Sequence, residues 1–288
     1  MIYARIKSNF MRNRQPIVKS ILLSLALWLL SSAAYADMLV SPTRVIMNDA
    51  NRSATLILRN TSNGSRTYRL SWQDKRANEN GSYTIITEDE EWPSAKEMIR
   101  LSPRQITVGP NENQTVRFNW RPPADLPSGE YRSHLLLEVI PDISEPTATM
   151  GVQAPVDEVG IQIFMQMSFS IPVVVRHNTD APQVSIGDVK ALPVNDGKHM
   201  GLELTFNRDG NASSFGRVLV EMQRNSESPV EQIGEYGELS IFQEVGRRKI
   251  TIRLRDASIP EGAWVRVAYE GLNEYQGILW DEKVFQAK

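Results

Sequence analysis

Cysteine is missing from all 288 residues. No disulfide can staple the fold, and no thiolate is available as nucleophile or metal ligand. A chain this long buries a sufficient core without covalent help. Histidine is scarce: His134, His177 and His199 are scattered, and none falls in a His-x-x-x-His or His-Glu-x-x-His pattern. Gly-x-Ser-x-Gly and phosphate-cradling glycine loops are absent too. The composition therefore offers no basis for catalysis, and it calls for no metal and no cofactor. The acidic run 88–91 reads as a solvated loop, and 207–211 as a β-turn rather than a calcium loop. The chain lacks a dense Lys/Arg cluster and has a formal charge of −2, which argues against a nucleic-acid partner.

Positive charge without acid is confined to the first 36 residues. Arg5, Lys7, Arg12, Arg14 and Lys19 precede a mostly apolar stretch at 21–30, and Ala34-Tyr35-Ala36 is a small-x-small cleavage site. This order is that of a secretory signal. The apolar stretch is shorter than the roughly 20 residues a transmembrane helix needs; the competing reading is an uncleaved N-terminal anchor. Cleavage after Ala36 would leave an acidic, exported, soluble chain of a length suited to two domains.

Helical periodicity is also lacking. Apolar residues recur instead with period 2 in short runs at 39–47, 54–60, 67–72, 106–108, 115–120 and 131–140, with turn signals at Asn63-Gly64, Asn80-Gly81 and Gly109-Pro110-Asn111. One run is far longer. From Val159 every second residue is apolar through Ile161, Ile163, Met165, Met167, Phe169, Ile171 and Val173 to Val175. Seventeen residues at roughly 3.3 Å each would span about 56 Å, against about 5–6 residues for an ordinary strand. Either this strand bends into two pieces, or part of its apolar face is made for another protein.

A polar stretch ending in proline, 177–182, marks a linker. Strands resume at 183–189, 201–206, 217–223, 249–254 and 264–270. The two halves echo each other: Leu126-Pro127-Ser128-Gly129-Glu130-Tyr131 recurs as Ile259-Pro260-Glu261-Gly262-Ala263-Trp264. A turn of this kind, entering a strand through an aromatic residue, suits the E–F corner of an immunoglobulin-like sandwich. The expected fold is all-β, two tandem immunoglobulin-like β-sandwich domains, with a signal peptide at 1–36, an N-terminal domain at 37–176, the linker at 177–182 and a C-terminal domain at 183–288.

Over residues 38–176 the order of landmarks resembles the periplasmic chaperones of the chaperone–usher pilus pathway. Leu39-Val40-Ser41-Pro42-Thr43-Arg44-Val45 is similar to that family's opening strand with its arginine. Leu56-x-Leu58-x-Asn60-x-Ser62, Pro110-x-x-x-Gln114-x-Val116-Arg117 and Leu126-Pro127 through Val139-Ile140-Pro141 follow in the family's order. The long alternating strand ending at Arg176 stands where the family places its last first-domain strand.

The resemblance implies two sandwiches set at an angle, a periplasmic location in a Gram-negative bacterium, and no enzymatic activity. It implies as partners pilin or fimbrial subunits and an outer-membrane usher, with a self-capping homodimer covering the sticky edge of the free chain. Subunits would be bound by donor-strand complementation, itself a standard instance of strand addition. The donor side chains would be Ile161, Ile163, Met165, Met167 and Phe169, methionine's flexible thioether suiting several related pockets. A subunit's terminal carboxylate would be held near the interdomain cleft by Arg44, whose planar fork suits a carboxylate. The family's second cation, a lysine on the last strand, has no counterpart between Val159 and Val175: Ser170 or Pro172 stands there instead. Arg132 or Arg176 is the expected substitute. The segment 142–158 is expected to be disordered before binding. Two other classes stay open from sequence: a secreted structural or adhesive immunoglobulin-like protein, and a periplasmic hydrolase or sugar-binding module.

Overall fold

A computed structural model describes residues 38–140, 168–193, 200–255 and 259–287. The first half contributes β1 (Met38–Ser41), β2 (Val45–Asn48), β3 (Ser53–Asn60), β4 (Arg66–Gln73), β5 (Lys75–Ala77) and β6 (Tyr83–Ile85). It continues with β7 (Ile99–Ser102), β8 (Gln105–Val108), β9 (Asn113–Trp120), β10 (Gly129–Ile140) and β11 (Ser168–His177). Two sheets result, in the orders β1-β3-β9-β7 and β2-β11-β10-β4-β8. The orders match the ABED and GFC sheets of an immunoglobulin sandwich, and the parallel pairing of β2 with β11 extends the second sheet.

Alternation explains the core. Leu56 and Leu58 from β3, Val116, Phe118 and Trp120 from β9, and Ile171, Val173 and Val175 from β11 are all buried in one cluster, while the residues between them on β3 and β9 point to solvent. Tyr131, at the entrance to β10, donates its hydroxyl to the carbonyl of Pro127 at 2.9 Å. That is the tyrosine corner of such sandwiches; its echo, Trp264, is 47% exposed instead. The apolar run 39–47 is not one strand. The chain crosses from one sheet to the other between β1 and β2, where Pro42 can donate no ladder hydrogen bond.

The second half repeats the plan. Its strands are β12 (Gln183–Pro193), β13 (Met200–Asp209), β14 (Ser214–Gln223), β15 (Glu231–Ile241), β16 (Arg247–Arg253), β17 (Trp264–Gly271) and β18 (Leu279–Gln286). They form sheets β12-β13-β16 and β15-β14-β17-β18 around a second core that includes Leu204, Phe206, Val218, Val220 and Val267. A hairpin of β5 and β6 leaves the first sandwich and docks on the second: Ala77 is counted within the second core. The Lys249 amide donates to the Glu79 carbonyl at 2.8 Å, and Arg248 Nη1 donates to the same oxygen at 2.8 Å. At the hairpin's tip Gly81 has φ +85°, a left-handed conformation that suits glycine.

Candidate functional site

Strands β10 and β11 face two ways. Phe169, Ile171, Val173 and Val175 join the first core, as do Leu135 and Leu137. Strand alternation then puts Glu130, Arg132 and His134, with their cross-strand partners Arg176, Val174 and Pro172, on the opposite face. This second face meets the second sandwich.

Three guanidiniums converge there. Arg176 Nε donates to Glu130 Oε2 at 2.9 Å, its Nη1 reaches Glu274 at 3.3 Å, and its Nη2 donates to the Ser213 carbonyl and hydroxyl at 3.2 Å. Arg44 Nη2 donates to Ser213 Oγ at 2.9 Å and lies 3.6 Å from Glu274. Arg132 holds Glu244 with both terminal nitrogens, at 2.5 and 3.2 Å, and stacks 3.7 Å from the Phe242 ring centroid. All three arginines and Glu130 are buried. Ser213, fully buried, donates its hydroxyl to Glu130 Oε2 at 2.8 Å and so joins both sandwiches at one atom.

Three carboxylates, Glu130, Glu244 and Glu274, thus meet three guanidiniums. Burial pushes the Glu130 carboxyl up, but Arg176, Arg44 and the Ser213 amide outweigh it and hold it below the usual carboxylate range. Burial also works against the charge of Arg176, yet Glu130 leads the groups that raise it above its ordinary value. At Arg44 burial wins over Glu274 and lowers the guanidinium. Its Nε and Nη1 have no hydrogen-bond partner among the described residues, nor does Arg132 Nε.

Below the arginines the wall changes character. His134 is 2% exposed with both ring nitrogens unpartnered, edge-on to Tyr83 at 5.2 Å. Burial, with Arg132 and Lys75 close by, pushes it down to about 3, so it is neutral at ordinary pH. Lys75, first residue of the hairpin, donates its ammonium to Ser170 Oγ at 2.9 Å. Burial lowers its pKa.

Strand β11 is flanked unevenly. On one side β10 pairs with it from Ser168 to His177, whereas β2 covers the other side only from Val173 to Arg176. Among the described residues, no strand pairs with the second edge at 168–172. Arg44 immediately precedes Val45, the first β2 residue in register with β11. The open edge therefore runs straight toward Arg44.

Of the expected donor side chains, Phe169 is half-buried against the first core; Ile161, Ile163, Met165 and Met167, like the segment 142–158, lie outside the described residues. The expected cations Arg44, Arg132 and Arg176 are brought together. Sequence reasoning missed the acids that hold them, Ser213, and Lys75. Glu130 carried a faint signal, because Glu130, Arg132 and His134 fall on alternate positions of one strand; Ser213, Glu244 and Glu274 carried none. Among the described residues, no group of three or more His, Asp or Glu side chains is placed to hold a metal ion, and no helix is long and apolar enough to cross a membrane.

No family model matches the chain, and no curated protein matches it. Solved structures do show similarity. The Pseudomonas aeruginosa CupB2 chaperone is 17% identical with TM-score 0.42, over 86% of this chain and 99% of that one. A chain of the CsuC–CsuE chaperone–tip adhesion subunit complex from Acinetobacter baumannii is 12% identical with TM-score 0.44, over 88% and 98%. In the Salmonella enterica SafA pilin–SafB chaperone complex the values are 12% and 0.42, over 88% and 98%. At identities and TM-scores this low, the similarity assigns no residue a role.

Proposed function

We propose that this chain is an exported, non-enzymatic chaperone of pilus or fimbrial subunits that binds a client by adding a strand along the open edge of β11. The observation that carries this reading is the uncovered edge at 168–172, aligned with β2 and ending at Arg44. An unpaired edge is a template for another strand, and ladder hydrogen bonds with alternate side chains in pockets give such pairing its affinity and specificity.

Orientation follows from charge. An added strand running parallel to β2 would bring its C-terminal carboxylate to Arg44, where two N–H groups lack partners. An antiparallel one would bring an ammonium against a guanidinium, which is repulsive. In this reading Arg44 receives the terminus, and Arg132 and Arg176 stand behind it while bridging the two sandwiches. The alternating apolar residues Ile161, Ile163, Met165 and Met167 fill the client's groove, while Phe169 packs against the chain's own first core. Export by a cleaved signal to the periplasm, delivery to an outer-membrane usher, and capping of the free chain by a second copy belong to the same proposal.

The test is co-purification of the tagged chain from the periplasm of pilus-expressing cells, with mass spectrometry of what accompanies it. Small β-rich subunits in equimolar complex are expected. A partnerless chain from such cells would overturn the reading.

A further inference from the structure

We infer that the cavity between the hairpin and the second sandwich binds one small tetrahedral oxyanion, of the phosphate or sulfate class, through Arg248. The inference is independent of the strand-addition reading. Arg248, on β16, is 8% exposed. Its Nη1 donates to the carbonyls of Glu79 and Lys249, at 2.8 and 2.6 Å. Those neutral oxygens satisfy donors but not the charge. Among the described residues, its Nη2 and Nε have no hydrogen-bond partner and no carboxylate lies within ion-pair distance. A buried cation without a counter-charge is costly. This one lines a cavity of about 150 Å³. The cleft arginines differ: Glu274, Glu244 and Glu130 serve Arg44, Arg132 and Arg176, and none of these three arginines lines the cavity.

The rest of the lining is rich in donors. Tyr83, Tyr236 and Ser240 line the same cavity, and none of their hydroxyls has a hydrogen-bond partner among the described residues. Gly81 passes so close to Arg248 Nη2 that a Cβ there would overlap it. One lining residue is acidic, Glu238; it is exposed and accepts the Thr43 hydroxyl at 3.4 Å rather than pairing with Arg248. Size selects the ligand. Pockets for organic molecules run about 300–1,000 Å³, whereas this cavity has room for about five waters at roughly 30 Å³ each. A tetrahedral oxyanion offers acceptors in four directions, which suits one guanidinium and three hydroxyls better than a planar carboxylate does. Gly81 and Tyr83 belong to the hairpin of the first sandwich, and Tyr236, Ser240 and Arg248 to the second. A bound ion would therefore fasten one sandwich to the other.

The test is isothermal titration calorimetry of the purified chain with sodium phosphate and, separately, sodium sulfate, ionic strength being held constant with sodium chloride. One ion per chain should bind, and at tenfold excess over its Kd it should raise the thermal midpoint by about 3–5 °C. Arg248→Gln should abolish binding. Tyr83→Phe and Tyr236→Phe each remove one hydroxyl with little change of shape, one from each sandwich, and each should weaken binding at least about tenfold. Thermal unfolding without either anion checks that every variant is folded. If neither anion binds the wild-type chain, or if binding survives Arg248→Gln, the assignment is overturned. Should Arg248→Gln fail to fold, the tyrosine variants decide, and wild-type affinity in both overturns it equally.

Discussion

His134 should make this protein lose stability on mild acidification, by an amount that can be worked out. Its ring is 2% exposed, neither nitrogen has a partner, and Arg132 and Lys75 stand close by. Burial first, then these cations, hold its pKa near 3 in the fold, against about 6.5 in an unfolded chain. Between those values the unfolded chain binds the extra proton, so stability falls as pH falls. The whole contribution is present above the unfolded value and is lost progressively down to the folded one. Linkage over that interval gives about 2 kcal/mol lost between pH 7 and pH 5 from this group alone. Urea unfolding of wild type and His134→Leu at both pH values isolates it. An apolar replacement strands no donor or acceptor, so the variant should fold. The expected result is a loss about 2 kcal/mol smaller in His134→Leu than in wild type. Equal losses in the two proteins would show that His134 titrates normally, and would refute a buried, partnerless imidazole.

Other perturbations probe different layers. Glu130→Gln removes the counter-charge of Arg176 within a buried pair and should cost about 3–5 kcal/mol, read as a lower denaturation midpoint. Because the Glu130 carboxyl is held below its usual range, its stabilisation is present above the ordinary carboxylate pKa and lost as pH falls through the lower folded value. The variant should lack that acid-side loss. Ile171→Ala, in the first core, should cost about 2–5 kcal/mol in chemical denaturation, and Phe169→Ala clearly less because Phe169 is only half-buried. Gly81→Val should loosen the hairpin, since a β-branched residue is strained at this positive φ and its Cβ would displace the Arg248 guanidinium that holds the Glu79 carbonyl. New cleavage within 74–86 under limited proteolysis is the readout.

Much of the fold was legible because a strand's period of 2 is a local property. Runs such as 54–60 and 115–120 alternate cleanly, since one face is core and the other solvent. The signal failed where that condition fails. Strand β15 carries Gly234 and Gly237 among glutamates, and β18 exposes most of its residues, so neither shows a pattern. The run 39–47 read as one strand although its halves belong to different sheets, because Pro42 interrupts the ladder without interrupting the apolar sequence. The arginines of the cleft were legible through the resemblance, Arg44 in Ser41-Pro42-Thr43-Arg44 and Arg132 or Arg176 as substitutes for the missing lysine. Their acids were not: Glu130 is 46 residues from Arg176, and Glu244 is 112 from Arg132. Asp74-Lys75-Arg76 reads as ordinary surface charge, and only the folded hairpin separates Lys75 from the rest by giving Asp74 to Lys96 and Arg76 to Glu90.

The same interface sets the relation of the two sandwiches and, in the proposed reading, limits what the terminus of an added strand can reach. Glu244 illustrates this. Its carboxylate fills the fork of Arg132 as an incoming carboxylate would, and it also accepts the Ala77 amide that fastens the hairpin. Removing its charge should therefore have two opposed effects. Glu244→Gln keeps an acceptor for Ala77 but leaves Arg132 buried without a counter-ion, so the free protein should lose stability by up to about 3–5 kcal/mol. The same change frees a planar donor pair beside the cleft, so a labelled β-strand peptide ending in a free carboxylate should bind more tightly than to wild type, while the same peptide ending in an amide is unaffected. Anisotropy titration and thermal unfolding measure the two sides separately. Loss of stability with no gain in acid binding would mean that Arg132 is sealed behind the hairpin and acts only as a strut between the domains, leaving Arg44 as the cation an added strand can meet.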